Sequence, residues 1–187
     1  MSGSIPAGSR LAVDVGKVRV GVAASDPARI LATPVATVVR DSWTTQPGRK
    51  RGGSVQGGER SLPDDVAQVA QEIADRGVTV VYVGLPRHMS GKLGPAAADA
   101  LAWTRELARA LRAAGTDTQL RMLDERLSTV SAQRSLLDSG RSTRSHRSVV
   151  DQAAAMVILQ QALDTEQRTG KVAGLDWVAV EQDTEQF

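Results

Sequence analysis

Three acidic positions stand out because of where they fall. Asp14 interrupts the apolar run Leu11-Ala12-Val13-Asp14-Val15. A carboxylate inside an apolar strand is costly unless it is paired or bound to a cation. Asp124 and Glu125 close the short segment from Gln119 to Leu123, so at least one of them should stand at the C-terminal edge of a sheet, where α/β folds gather their sites. Asp151 stands just ahead of Ala153, Ala154, Ala155, Val157, Ile158 and Leu159, near the start of a strongly apolar helix. Each position has an ordinary structural alternative: a solvent-facing acid on an edge strand, an N-cap, or a first-turn acid complementing a helix dipole. Taken together, acids from three separated elements suit an oxygen-donor site for Mg²⁺ or Mn²⁺. Two such ions can activate a water and stabilise the leaving oxygen in phosphodiester hydrolysis.

Other chemistries find few candidates. The chain has no cysteine, which excludes disulfides, thiolate metal sites and cysteine nucleophiles. His88 and His146 are the only histidines and fall in separate loops, a poor basis for a zinc site or a Ser-His-Asp triad. Gly84-Leu85-Pro86 with Gly91 and Gly94 is not followed by Gly-Lys-Ser/Thr and is no Walker loop. Gly16-Lys17, followed by Arg19-Val20-Gly21, leaves open a phosphate-binding turn of the actin and sugar-kinase type, but no second such turn is evident.

The formal charge of +2 is modest, and its distribution is more informative. Arg40, Arg49, Lys50, Arg51 and Arg60 form one basic cluster; Arg134, Arg141, Arg144, His146 and Arg147 form another. Two arginine-rich loops on an otherwise balanced chain point to contacts with nucleic-acid phosphates. No segment has the pattern of a signal peptide or the roughly 18–20 apolar residues of a membrane span. A cytoplasmic location follows as the expectation, with no membrane partner.

The elements that must position these residues follow from pattern. At 187 residues and 41% apolar content, one domain with a sizeable core is expected, built mainly from aliphatic side chains because aromatics make up only 3%. Leu11 to Val15, Val18 to Ser25 and Thr33 to Val39 read as three antiparallel strands, the first two joined at Gly16-Lys17. Residues 44–60 contain five glycines and several charges and read as a long flexible loop. A helix starts at Pro63 and ends at Gly77; Val78 to Val83 is nearly all β-branched, as in a strand buried on both faces. Pro95 opens a second helix to Gly115, Gln119 to Leu123 is a strand, and helices are expected over Thr129 to Ser139 and from about Ser148 to Thr165. The result is an α/β fold with a mixed sheet flanked by helices. The domain should span 10–165, with 1–9 and 166–187, Trp177 included, as tails.

The run Asp14-Val15-Gly16-Lys17-Val18-Arg19-Val20-Gly21-Val22-Ala23 resembles the opening motif of the YqgF/RuvX family, described as Holliday junction resolvases and as pre-16S rRNA nucleases. The resemblance extends through Val83-Gly84-Leu85-Pro86 with Met89, Gly91 and Gly94-Pro95, through Asp124-Glu125-Arg126-Leu127-Ser128-Thr129, and through Val150-Asp151-Gln152-Ala153-Ala154 with Ile158-Leu159-Gln160. It implies an RNase-H-like fold related to the RuvC resolvases, with a five-stranded mixed sheet, and a metal-dependent endonuclease acting on branched DNA or an rRNA precursor. By this resemblance the catalytic and metal-binding acids are Asp14, Asp151 and one member of the Asp124-Glu125 pair. Glu125 is favoured, although alternation along a strand admits only one of the two without saying which. Lys17, Arg19, Arg49, Lys50, Arg51, Arg126, Arg141, Arg144 and Arg147 are the expected nucleic-acid contacts, with Arg19 and Arg126 meeting phosphate or holding the carboxylates. Cutting a four-way junction symmetrically favours a homodimer. The long loop at 46–60 and the segment beyond 165 depart from the family pattern. The competing reading is a non-catalytic nucleic-acid-binding factor for rRNA maturation.

Overall fold

In the computed structural model, which describes residues 5–40, 62–87, 93–124 and 144–184, one sheet carries the whole architecture. Strands β1 (Ser9–Val15), β2 (Arg19–Ser25) and β3 (Ala32–Val39) come first, then helix α1 (Asp64–Asp75), β4 (Val78–Leu85), α2 (Pro95–Ala113) and β5 (Gln119–Asp124). Helix α3 (Arg144–Thr169), the two-residue strand β6 (Leu175–Asp176) and α4 (Trp177–Thr184) complete it. The strand order is β3-β2-β1-β4-β5-β6. β2 runs antiparallel to both β1 and β3, whereas β4 and β5 run parallel to β1. This is the mixed, helix-flanked α/β sheet that the sequence pattern led us to expect, with six strands instead of the five implied by the family resemblance. The extra strand is β6, which pairs antiparallel with β5.

Alternation along the strands sorts the core into two layers. Leu11, Val13 and Val15 of β1, Val20 and Val22 of β2, Val81, Val83 and Leu85 of β4 and Leu120 and Met122 of β5 face α1 and α2. Ala12, Ala23, Val80, Tyr82 and Leu123 face the other way, onto Ala155, Ile158, Leu159, Ala162 and Leu163 of α3. Ala12, Gly21, Ala23 and Ala32 line the β1 to β3 part of this second layer, so α3 lies close across those strands and reaches β4 as well. Helix α1 buries Val66, Val69 and Ile73 at the 3–4 spacing of one face, and Gly77 takes a positive φ of 57° just beyond its end.

The C-terminal segment differs from the expected tail. Helix α3 runs on to Thr169, and Trp177, only 3% exposed, joins Val180 in the main core cluster. Arg121 ties the segment to β5: Nε donates to the Ala173 carbonyl at 3.0 Å, Nη2 to that of Gly174 at 2.6 Å, and Nη1 to Asp176 at 3.0 Å. A chain end held by an indole in the core and three arginine hydrogen bonds is part of the folded unit. Among the described residues no helix is long and apolar enough to cross a membrane.

Candidate active site

The β1–β2 hairpin brings the first acid into position. Asp14 pairs with Gly21 in the antiparallel register, and the turn Gly16-Lys17-Val18 is closed by the Gly16 N–H donating to the Arg19 carbonyl at 2.9 Å. β1 is an interior strand between β2 and β4, so the edge-strand alternative for Asp14 does not hold. Its parity is that of Ala12, which directs it to the α3 face, where it is only 3% exposed. Gly21 and Arg19 have the same parity as Ala23 and share that face.

Helix α3 supplies the second acid at the same place. A Cβ at Gly21 would lie 2.0 Å from the Asp151 carbonyl oxygen and 2.5 Å from its carbonyl carbon. The Asp151 backbone is thus seated directly on β2 at Gly21, opposite Asp14 in the register. The Arg19 guanidinium lies 3.8 Å from the Asp151 carboxylate, with both side chains partly exposed. Two acids and one arginine, from two strands and a helix, therefore converge on one face at the C-terminal end of β1. These are hard oxygen donors of the kind that bind Mg²⁺ or Mn²⁺.

The third acid divides along β5. Asp124 shares parity with Leu120 and Met122, which belong to the α1/α2 layer, and Leu123 faces α3. The Asp124 carboxylate lies 3.8 Å from the guanidinium of Arg87, just past the end of β4. Asp124 is therefore directed away from the face that carries Asp14. Glu125 and Arg126 lie outside the described residues, and among the described residues no group of three acidic or histidine side chains is gathered tightly enough for a metal ion.

The basic candidates separate as well. Lys17 is exposed in the turn between β1 and β2. Arg40, which the sequence groups with the loop arginines, is buried. Its Nη1 donates to the Gly16 carbonyl at 2.8 Å and to Asp99 at 3.2 Å, and its Nε lies 3.9 Å from Asp65, which also accepts the Trp103 indole N–H at 2.9 Å. A guanidinium committed to two helices and the hairpin turn is a structural anchor, not a phosphate contact. Arg49, Lys50, Arg51 and Arg141 lie outside the described residues, as does the expected helix at 129–139. Arg144 and Arg147 fall in the opening turns of α3, with side chains outside the description. Sequence reading assigned no role to Gly21 or Arg87. Gly21 stood within the motif, but nothing local said what it faces.

The RuvX family, described as Holliday junction resolvase, matches residues 53–165. A protein of Clavibacter sepedonicus named "Putative pre-16S rRNA nuclease" is 44% identical over 167 residues, covering 89% of each chain. One of the same name from Nocardia farcinica is 45% identical over 157 residues, 84% of this chain and 78% of its own. Among solved structures, Thermus thermophilus RuvC in complex with a Holliday junction substrate aligns with 89% of this chain and 99% of its own at 15% identity, with a TM-score of 0.49. The yeast mitochondrial Holliday junction resolvase Ydc2 covers 90% and 85% at 15% identity, with a TM-score of 0.40. On the family match and the identity shared over most of its length, the chain belongs to the RuvX family.

Proposed function

We propose that this protein is a divalent-metal-dependent endonuclease that hydrolyses phosphodiester bonds in Holliday junction DNA, at the 5′ end of pre-16S rRNA, or in both. The observation that carries this reading is the seating of Asp151 on Gly21, which gathers Asp14 and Asp151 with Arg19 on one sheet face. The names of the family and of its relatives agree with a nucleic-acid hydrolase.

Asp14, Asp151 and Glu125 would hold Mg²⁺ or Mn²⁺, with Asp124 the weaker candidate because its strand parity and its Arg87 partner draw it to the opposite face. Bound there, the ions supply an activated water and neutralise charge on the scissile phosphate. The protein's own groups do the rest. β1 holds the Asp14 carboxylate rigidly because the strand is hydrogen-bonded on both sides. Arg19 steadies the Asp151 carboxylate and, with Lys17 at the exposed turn, offers positive charge to an incoming phosphate. Arg49, Lys50, Arg51, Arg126, Arg141, Arg144 and Arg147 extend that charge along the nucleic-acid backbone, contacts that orient without reading sequence. The working form is a single nuclease domain acting in the cytoplasm as a homodimer, since two sites are needed for symmetric cuts in a junction.

Cleavage of labelled four-way junctions and of a pre-16S rRNA fragment, side by side with Mg²⁺, Mn²⁺ or EDTA, tests this. Wild type should cut at least one substrate only with metal. Asp14→Asn should lose more than about 100-fold, beyond the loss typical of outer-shell partners of metal ligands, while still binding. Full activity in Asp14→Asn removes the site assignment. Binding without cutting by wild type on either substrate favours the non-catalytic maturation factor.

A further inference from the structure

The geometry points to Gly21 as a positioning residue that sets the spacing between the two acids, by admitting the Asp151 backbone to a place that any side chain at position 21 would fill. This rests on the proposed reading of Asp14 and Asp151 and adds a residue with no reactive group.

The Cβ that alanine would add at Gly21 lies 2.0 Å from the Asp151 oxygen, whereas ordinary contact begins at 3.4 Å. The obstacle is backbone, so no rotamer change relieves it. β2 cannot retreat: it is hydrogen-bonded to β1 through Asp14↔Gly21 and to β3 through Gly21↔Thr37. The helix must give way, and Asp151 moves off the sheet relative to Asp14. Glycine is not needed here for a left-handed backbone; its use is space alone. A shift of about 1 Å at a catalytic group can cost on the order of 100-fold in rate. Mg²⁺ demands near-ideal octahedral geometry and should feel the shift more than Mn²⁺, whose coordination is more tolerant.

Wedges along α3 supply the test. Ala155 and Ala162 are both fully buried against the same sheet face, one turn and three turns beyond Asp151. Gly21→Ala and Ala155→Val lift the helix at the acid; Ala162→Val lifts it far away. Each variant is assayed for kcat and KM in Mg²⁺ and Mn²⁺ and for its melting transition. The expected result is a kcat lower by about 100-fold for Gly21→Ala and lower for Ala155→Val, with KM little changed and the loss larger in Mg²⁺ than in Mn²⁺. Ala162→Val should melt earlier with kcat unchanged per folded molecule. If Gly21→Ala does not fold, the contrast between Ala155→Val and Ala162→Val decides. Equal kcat for the near and far wedges, or a Gly21→Ala enzyme with wild-type kcat in Mg²⁺, overturns the inference. Asp14→Asn, run in parallel, separates the two levels. If it is inactive while the wedges have no effect, the inference alone falls; if it is fully active, the underlying reading falls.

Discussion

Arg10 and Glu166 join β1 to α3 at the opposite end of the contact that carries Asp14 and Asp151. Arg10 Nε and Nη2 donate to the two Glu166 carboxylate oxygens at 2.9 and 3.1 Å. The remaining guanidinium hydrogens go to Thr79 Oγ1 at 2.7 Å and to the Gly8 and Pro6 carbonyls at 3.0 and 2.8 Å. The Tyr82 hydroxyl donates to Glu166 as well. Along α3, Asp151, Ala155, Leu159, Ala162 and Glu166 recur at helical spacing, roughly 22 Å from first to last. One helix face thus meets β1 at both ends, with a charged anchor at one and the candidate site at the other.

Removing one partner of such a buried pair leaves the other uncompensated. Glu166→Gln should lower unfolding free energy by about 3–5 kcal/mol, read by urea denaturation. Cleavage per folded molecule should persist under conditions where the variant stays folded. A loss below about 1 kcal/mol, the scale of a surface pair, would show that Arg10 finds other compensation.

Strand parity makes a prediction about the adjacent acids. Asp124 has the parity of Met122 and a partner in Arg87, so Asp124→Asn should retain cleavage within about tenfold, whereas Glu125→Gln should fall by more than about 100-fold. Steady-state rates in Mg²⁺ distinguish them, and the reverse ranking would mean that β5 turns at its end and presents Asp124 instead.

Phosphate contact by the loop cluster is testable by salt. Each phosphate contact contributes about 0.9 to the slope of log K against log salt on duplex DNA. Replacing Arg49-Lys50-Arg51 with alanines should flatten that slope by up to about three contacts. An unchanged slope in a binding titration would mark the loop as a spectator.

Tyr82 is raised above its ordinary value of 10.0, chiefly by burial and then by its hydrogen bond to the Glu166 carboxylate. The unfolded chain therefore gives up this proton at a lower pH than the folded one. Stability contributed by Tyr82 is complete below pH 10.0 and declines as pH rises above it. Tyr82→Phe should be less stable than wild type near neutrality, with the gap narrowing on the alkaline side. An equal gap at neutral and alkaline pH would show that the fold does not hold the Tyr82 proton more tightly than the unfolded chain does.

Much of this molecule was legible in the sequence because its signals are local. Period-2 and 3–4 spacing marked β1 to β5, α1 and α2 to within a few residues, and the same alternation marked Asp14 as an acid embedded in an apolar strand. The four family motifs led to the RuvX assignment because they are contiguous runs. What pattern did not reveal depends on approaches between distant residues. Trp177 looked like part of a tail, since nothing near it announces that β5 and Arg121 are waiting to receive it. Arg40 looked like one more loop cation, yet it is buried between Asp65, Asp99 and the Gly16 carbonyl. Alternation alone did not say which face Asp124 takes; Met122 and Leu123, packed in opposite layers, put it on the α1/α2 side. Sequence by itself determined β1 to β5, α1 to α3, their order and the acids they carry, because periodicity is a property of neighbours. Only the tertiary structure decided that α3 rests on Gly21 and aligns Asp151 with Asp14, because close packing between a helix and a sheet is set by the shape of surfaces that meet only after folding.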